Sequence, residues 1–90
     1  MDTASLCEAA AVEGNLAPRE IEVLGKLLDG MTEAKVAERL SISRHTVHAH
    51  TRSLYAKLRV HNRVELLRRV LSFVDSHGAG LRPAFRRDGA

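Results

Sequence analysis

Apolar residues recur along this chain at the three- and four-residue spacings of helices that each bury one side, and no stretch alternates as a strand would. An Ala-rich opening with Asp2 or Thr3 as candidate caps predicts a short helix over about 4–13, ended by Gly14-Asn15, with Leu6, Ala9, Ala10 and Val12 able to lie on the domain. Pro18 opens the next helix at the first helical position, where its missing N–H costs nothing; Ile21, Leu24, Leu27 and Leu28 form its stripe and Gly30 stops it. Glu20 can reach back to the cap residue, but Ala17 has no side-chain oxygen to complete a capping box, a loss of about 1 kcal/mol relative to Ser or Thr. Thr32 then caps a helix from Glu33 to Leu40, with Val36, Ala37 and Leu40 inward and Ile42 as a plug in the link that follows.

Ser43 caps a longer helix over 44–58, in which Val47, Leu54 and Leu58 share a narrow apolar sector and Thr51 stands at its edge. A helix, a tight link and a second, basic helix make a helix-turn-helix, although this turn has no Gly. Asn62 and Glu65 read as another capping pair, opening a helix over 62–74. Its apolar residues span about 180°, where ~100° covers one core. The expectation is that Val64, Leu67, Leu71 and Val74 face the domain, while Leu66, Val70 and Phe73 form a second strip for another surface. The predicted fold class is therefore all-α: a compact four-helix helix-turn-helix domain over 16–74, preceded by a short helix or linker (1–15) and followed by a disordered, flexible basic tail (75–90).

Composition sharpens this picture. Ninety residues suffice for one modest core, and the absence of Trp with only one Tyr and two Phe leaves that core to Leu, Val, Ile and Ala. The net charge of +3 is unevenly placed: residues 1–42 balance at −4 and residues 43–90 at +7, with five bases and no acid between Ser43 and Arg63. Such a field suits a polyanion as well as it suits a solvated face. A lone Cys7 excludes an intramolecular disulfide and a cysteine-based zinc site, so a cytoplasmic setting is the default. No apolar run approaches the ~20 residues that cross a bilayer, and no membrane partner is expected.

The candidate chemistry lies on the outer face of the 44–58 helix, where His45, His48, Ala49, Arg52, Ser53 and Ala56 combine small residues with groups that can donate to base edges or phosphates. Arg44, His45, Thr46 and Lys57 flank that face as candidate backbone contacts. Three histidines invite a metal, but His50 sits about 140° from His45 on a helix, so the three cannot converge on one ion. No Ser/His/Asp arrangement, Gly-rich phosphate loop or carboxylate pair stands in a catalytic setting, and neither enzyme activity nor a cofactor is expected.

The segments Leu16-Ala-Pro-Arg-Glu-Ile-Glu-Val-Leu24, Gly30-Met-Thr-Glu-Ala-Lys-Val-Ala37, Leu40-Ser-Ile-Ser43, Thr46-Val-His-Ala-His50 and Leu54-Tyr-Ala-Lys-Leu-Arg-Val60 with Asn62-Arg63 resemble the C-terminal DNA-binding domain of LuxR/FixJ-type (GerE-like) bacterial transcription regulators. The resemblance implies a domain that binds double-stranded DNA with the 44–58 helix in the major groove, His48, Ala49 and Arg52 at base edges, and a dimer through the 62–74 helix. The family usually has Lys where His48 stands and Thr where Ala17 stands. The apolar width of the last helix points the same way, to a homodimer through Leu66, Val70 and Phe73, with the N-terminal segment as the competing cover. RNA polymerase is a further candidate partner, and the bacterial nucleoid the expected location. Only about fifteen residues precede the match, so the chain is either a stand-alone regulator or an effector domain taken from a longer one. Two other readings use the same fold: region 4 of a sigma factor, which shares the Pro-Arg-Glu opening, and a protein-binding anti-activator, which would keep the apolar last helix and lose the basic face.

Overall fold

The computed structural model describes residues 3–76, with side chains through Val74. Of the expected tail, 75 and 76 are helical and 77–90 lie outside the described residues. The element order is α1 (Thr3–Gly14), α2 (Pro18–Leu28), α3 (Glu33–Leu40), α4 (Arg44–Leu58) and α5 (Arg63–Ser76), and no strand occurs among the described residues. The N-terminal segment is thus a helix of the domain and not a linker.

One device ends four of the five helices. Asn15, Gly30, Ser41 and Arg59 each take a positive φ, of 52°, 91°, 58° and 61°. The amide of the following residue then reaches five positions back: Leu16 to Ala11 O, Met31 to Lys26 O, Ile42 to Ala37 O and Val60 to Tyr55 O, at 2.9–3.1 Å. This closure satisfies carbonyls that the helix leaves free, and it turns an apolar residue back onto the last turn. Leu16 and Val60 are buried and Met31 and Ile42 pack on the core, so each helix end is also a core anchor. In the helix-turn-helix, Ser41 takes the left-handed position that a glycine would fill more cheaply.

The starts are individually capped. Thr32 Oγ1 accepts from the Lys35 amide at 3.2 Å, Ser43 Oγ from the Thr46 amide at 3.0 Å, and Asn62 Oδ1 from the Glu65 amide at 2.9 Å. Glu65 in return accepts from the amide of His61, at 2.7 Å, so its carboxylate reaches one residue beyond the cap. The His61 amide and its imidazole, 3.2 Å from the same oxygen, hold the Glu65 carboxyl below its ordinary range. At α2 only the returning half of a capping box exists, Ala17 N–H to Glu20 Oε1 at 2.8 Å.

Val23, Leu24 and Leu27 of α2, Val36 and Ala37 of α3, and Val47, Leu54 and Leu58 of α4 meet in the centre, closed by Leu66 and Val70 of α5. α2 and α3 pack on α4, while α1 lies along α5 and also touches α2 and α4. Thr51, within this core, donates its hydroxyl to Val47 O at 2.9 Å, so its donor is met.

Except at Val74, which is buried as expected, the faces of α5 are the reverse of the expectation. Leu66, Val70 and Val74 are buried and Phe73 packs partly on the core, whereas Val64, Leu67 and Leu71 are 65%, 47% and 43% exposed. The physical reason is α1, whose Ala9 and Ala10 are buried and whose small side chains admit α5 closely. Two guanidiniums fix the rotation of α5: Arg69 donates to Leu58 O at 3.1 Å and to Arg59 O at 3.4 Å, and Arg63 donates to Met31 O. Leu66 and Val70 therefore cannot form a dimer surface without unfolding the core.

Candidate nucleic-acid interface

α4 is held from three sides, and each contact aims one sector of it. Its apolar sector, Val47, Leu54 and Leu58, is fully sequestered. On one flank Ser53 and Lys57, one turn apart, both donate to Glu20 of α2: Ser53 Oγ–H to Oε2, and Lys57 Nζ to Oε1 at 2.8 Å. On the other flank His48 Nδ1 lies 3.2 and 3.3 Å from the two carboxylate oxygens of Glu33, the first residue of α3. The sector between those flanks is open to solvent.

Glu20 is 5% exposed, and burial on its own would raise its pKa. Hydrogen bonds from Lys57, Ser53 and the Ala17 amide outweigh that penalty and bring it down to about 2. The carboxylate is therefore an ionised strut between α2 and α4, and it sets how α4 is presented.

Of the residues expected to touch DNA, His45, His48, Ala49 and Arg52 are all exposed on the open sector of α4, as is Arg44 at its first turn. Thr46 is half-buried and its hydroxyl is paired with that of Ser43 at 2.9 Å, which ties it to the cap. Lys57 is directed elsewhere: its ammonium neutralises Glu20 within the fold, which leaves it a poor phosphate ligand. Charge along the sequence could not reveal this, because the partner lies 37 residues away.

The geometry adds two groups. Arg59 and His61 join Arg52, Tyr55, Ala56 and Val60 in lining a shallow hollow beside the C-terminal half of α4. Arg59 stood in the acid-free run from Ser43 to Arg63, but only the left-handed end of α4 shows where it sits. Among the described residues no cluster of three or more His, Cys, Asp or Glu could hold a metal ion, and no helix is long and apolar enough to cross a membrane.

A short capped helix, a left-handed link and a second helix with a solvent-facing sector of Arg, His and Ala define a helix-turn-helix module. The profile of "Bacterial regulatory proteins, luxR family" matches residues 14–70, more than half of the chain, and the chain belongs to that family. Among curated proteins it is 34% identical to an uncharacterized response regulatory protein, YgeK, of Escherichia coli K12, over 79% of this chain and 48% of that one. It is 42% identical to the transcriptional regulatory protein UhpA of the same strain, over 69% of this chain and 32% of UhpA. It is 40% identical to the fimbriae Z protein of Salmonella typhimurium, over 58% of this chain and 25% of that protein. The matched region spans about half or less of the length of these relatives. No solved structure gives a significant match. The domain is thus of the LuxR type, a DNA-binding module of transcriptional regulators.

Proposed function

We propose that the domain is a sequence-specific regulator of transcription that places α4 in the major groove of duplex DNA. The observation that carries this reading is the open sector of α4, where Arg44, His45, His48, Ala49 and Arg52 are exposed and α4 itself contributes no carboxylate. Ala49 allows the helix backbone close approach, His48 and Arg52 reach base edges, and Arg44, His45 and the capped first turn face the phosphates. Arg59 and His61 extend the phosphate contacts at the far end of α4, taking the place in the reading that sequence alone gives to Lys57.

Dimerisation belongs to the same proposal, through a surface redrawn from burial. Val64, Leu67 and Leu71 stand at helical spacing along the outside of α5, and two such strips can cover each other about a two-fold axis, fixing the spacing of two half-sites. An interface of one helix per partner is small, so the dimer forms chiefly on DNA. RNA polymerase is the further partner through which the bound protein would act, by recruitment or by exclusion.

Selection of bound duplexes from a random pool tests the reading. The native protein should enrich one motif, and Arg52→Ala should lose preference at one base pair within it, since a bidentate Arg–guanine contact discriminates by about 1–3 kcal/mol. Equal weakening on every sequence would make Arg52 a phosphate contact, and failure to enrich any motif would remove the proposal.

A further inference from the structure

The pair between His48 and Glu33 has a consequence for what α4 can recognise, provided that α4 is the DNA-reading helix as proposed above. Glu33 lies on α3 and His48 on α4, fifteen residues apart, and the pair joins the two helices of the helix-turn-helix at its solvent edge. The imidazole side chain is 57% exposed and the carboxylate 31%. Nδ1 is nearly equidistant from both oxygens, at 3.2 and 3.3 Å. An ionised carboxylate is an acceptor only, so the proton of this contact must be on Nδ1. In a neutral imidazole the other nitrogen, Nε2, then carries a lone pair and no hydrogen. Nδ1 is the nitrogen turned toward α3, which leaves Nε2 as the one available to a ligand.

We infer that Glu33 is a specificity-determining residue: by holding the Nδ1–H tautomer of His48 it makes Nε2 a hydrogen-bond acceptor, so that His48 selects a base presenting a donor in the major groove, adenine through its N6 amino group or cytosine through its N4 amino group. Guanine presents only the acceptors N7 and O6 there, and thymine the acceptor O4 with a methyl group, so both would set lone pair against lone pair. A lysine, which only donates, would prefer the opposite pair of bases. Glu33 reads no base itself. It is a positioning residue, and its carboxylate at the first turn of α3 is also favourably placed against the N-terminal dipole of that helix. On α4 itself the charged residues one turn from His48 are Arg44 before it and Arg52 after it. Both are cations, and neither competes with the carboxylate as an acceptor.

Two measurements on the native protein and Glu33→Ala test this. Nitrogen-detected NMR of the free protein at about pH 8.5, where an imidazole is neutral, should find His48 with its proton on Nδ1, and Glu33→Ala should move it to Nε2, the tautomer favoured by an unpaired imidazole in water. Random-pool selection should then show adenine or cytosine at one position for the native protein. Glu33→Ala should shift that position toward guanine or thymine, as Nε2–H becomes a donor, and leave the position read by Arg52 unchanged. A native His48 protonated on Nε2, or the same base enriched at every position by both proteins, overturns the inference while leaving the domain a DNA reader. Absence of any enriched motif from the native protein overturns the proposed function, and this inference with it.

Discussion

Replacing Glu20 by glutamine keeps the shape of the strut between α2 and α4 and removes its charge. The folded carboxyl titrates at about 2 in place of its ordinary 4.5, which at 1.36 kcal/mol per pH unit corresponds to about 3 kcal/mol of stability. The side chain is 7% exposed, so solvent screening takes little from that figure. The sign follows from the lowered pKa: the folded protein binds this proton less tightly than the unfolded chain, so the contribution is complete above about pH 5 and is lost as pH falls toward 2. Urea unfolding of both proteins should therefore give a gap of roughly 3 kcal/mol at about pH 7, of which about three-fifths is gone by pH 3. The remaining carboxylates titrate alike in both proteins, Glu65 included, so the gap isolates Glu20. A gap that keeps its full size at low pH would mean that the glutamine variant fails through packing and not through charge. Equal stability at neutral pH would mean that Lys57 and Ser53 only offset the cost of burying the carboxylate.

Three further outcomes follow from burial and backbone geometry. Val70→Asp puts a charge at a fully buried position and should unfold the domain, at a cost above about 4 kcal/mol by thermal melting. Leu67→Asp, on the exposed side of α5, should leave the melting temperature within a few degrees and abolish cooperative binding to DNA bearing two half-sites; unaltered cooperativity would place the dimer contact elsewhere. Gly30→Ala forces a Cβ into φ 91° and should cost about 1–2 kcal/mol, although nothing lies within 4 Å of that atom; a neutral result would show that the α2–α3 turn readjusts.

How far the sequence reached depended on the range of each interaction. Helix starts and stops are set by neighbours, so Pro18, Thr32, Ser43, Asn62 and Gly30 could be placed from local chemistry alone. The left-handed Ser41 and Arg59 could not, because neither residue type marks that conformation and only the apolar Ile42 and Val60 after them hint at it. On α5 two apolar strips of similar strength lay side by side, and periodicity measures the width of an apolar face without saying which part turns inward. The choice is made by α1 and by the Arg63 and Arg69 bonds to distant carbonyls. The Glu20 cluster left a faint signal: Glu20 shares a face with Leu24 and Leu27, and a carboxylate in an apolar stripe asks for a partner. That the partners are Ser53 and Lys57 depends on how α2 crosses α4. The reading face of α4 was legible because it needs only one helix; its coupling to Glu33 needs two.

Amide chemical-shift mapping of the protein against a selected duplex tests the placement of α4 most directly. The largest changes should fall on Ser43–Arg52 and around Arg59 and His61, with the outer amides of α1 unaffected. Changes centred on α1 or on the outer face of α5, with α4 between Arg44 and Arg52 unmoved, would contradict it.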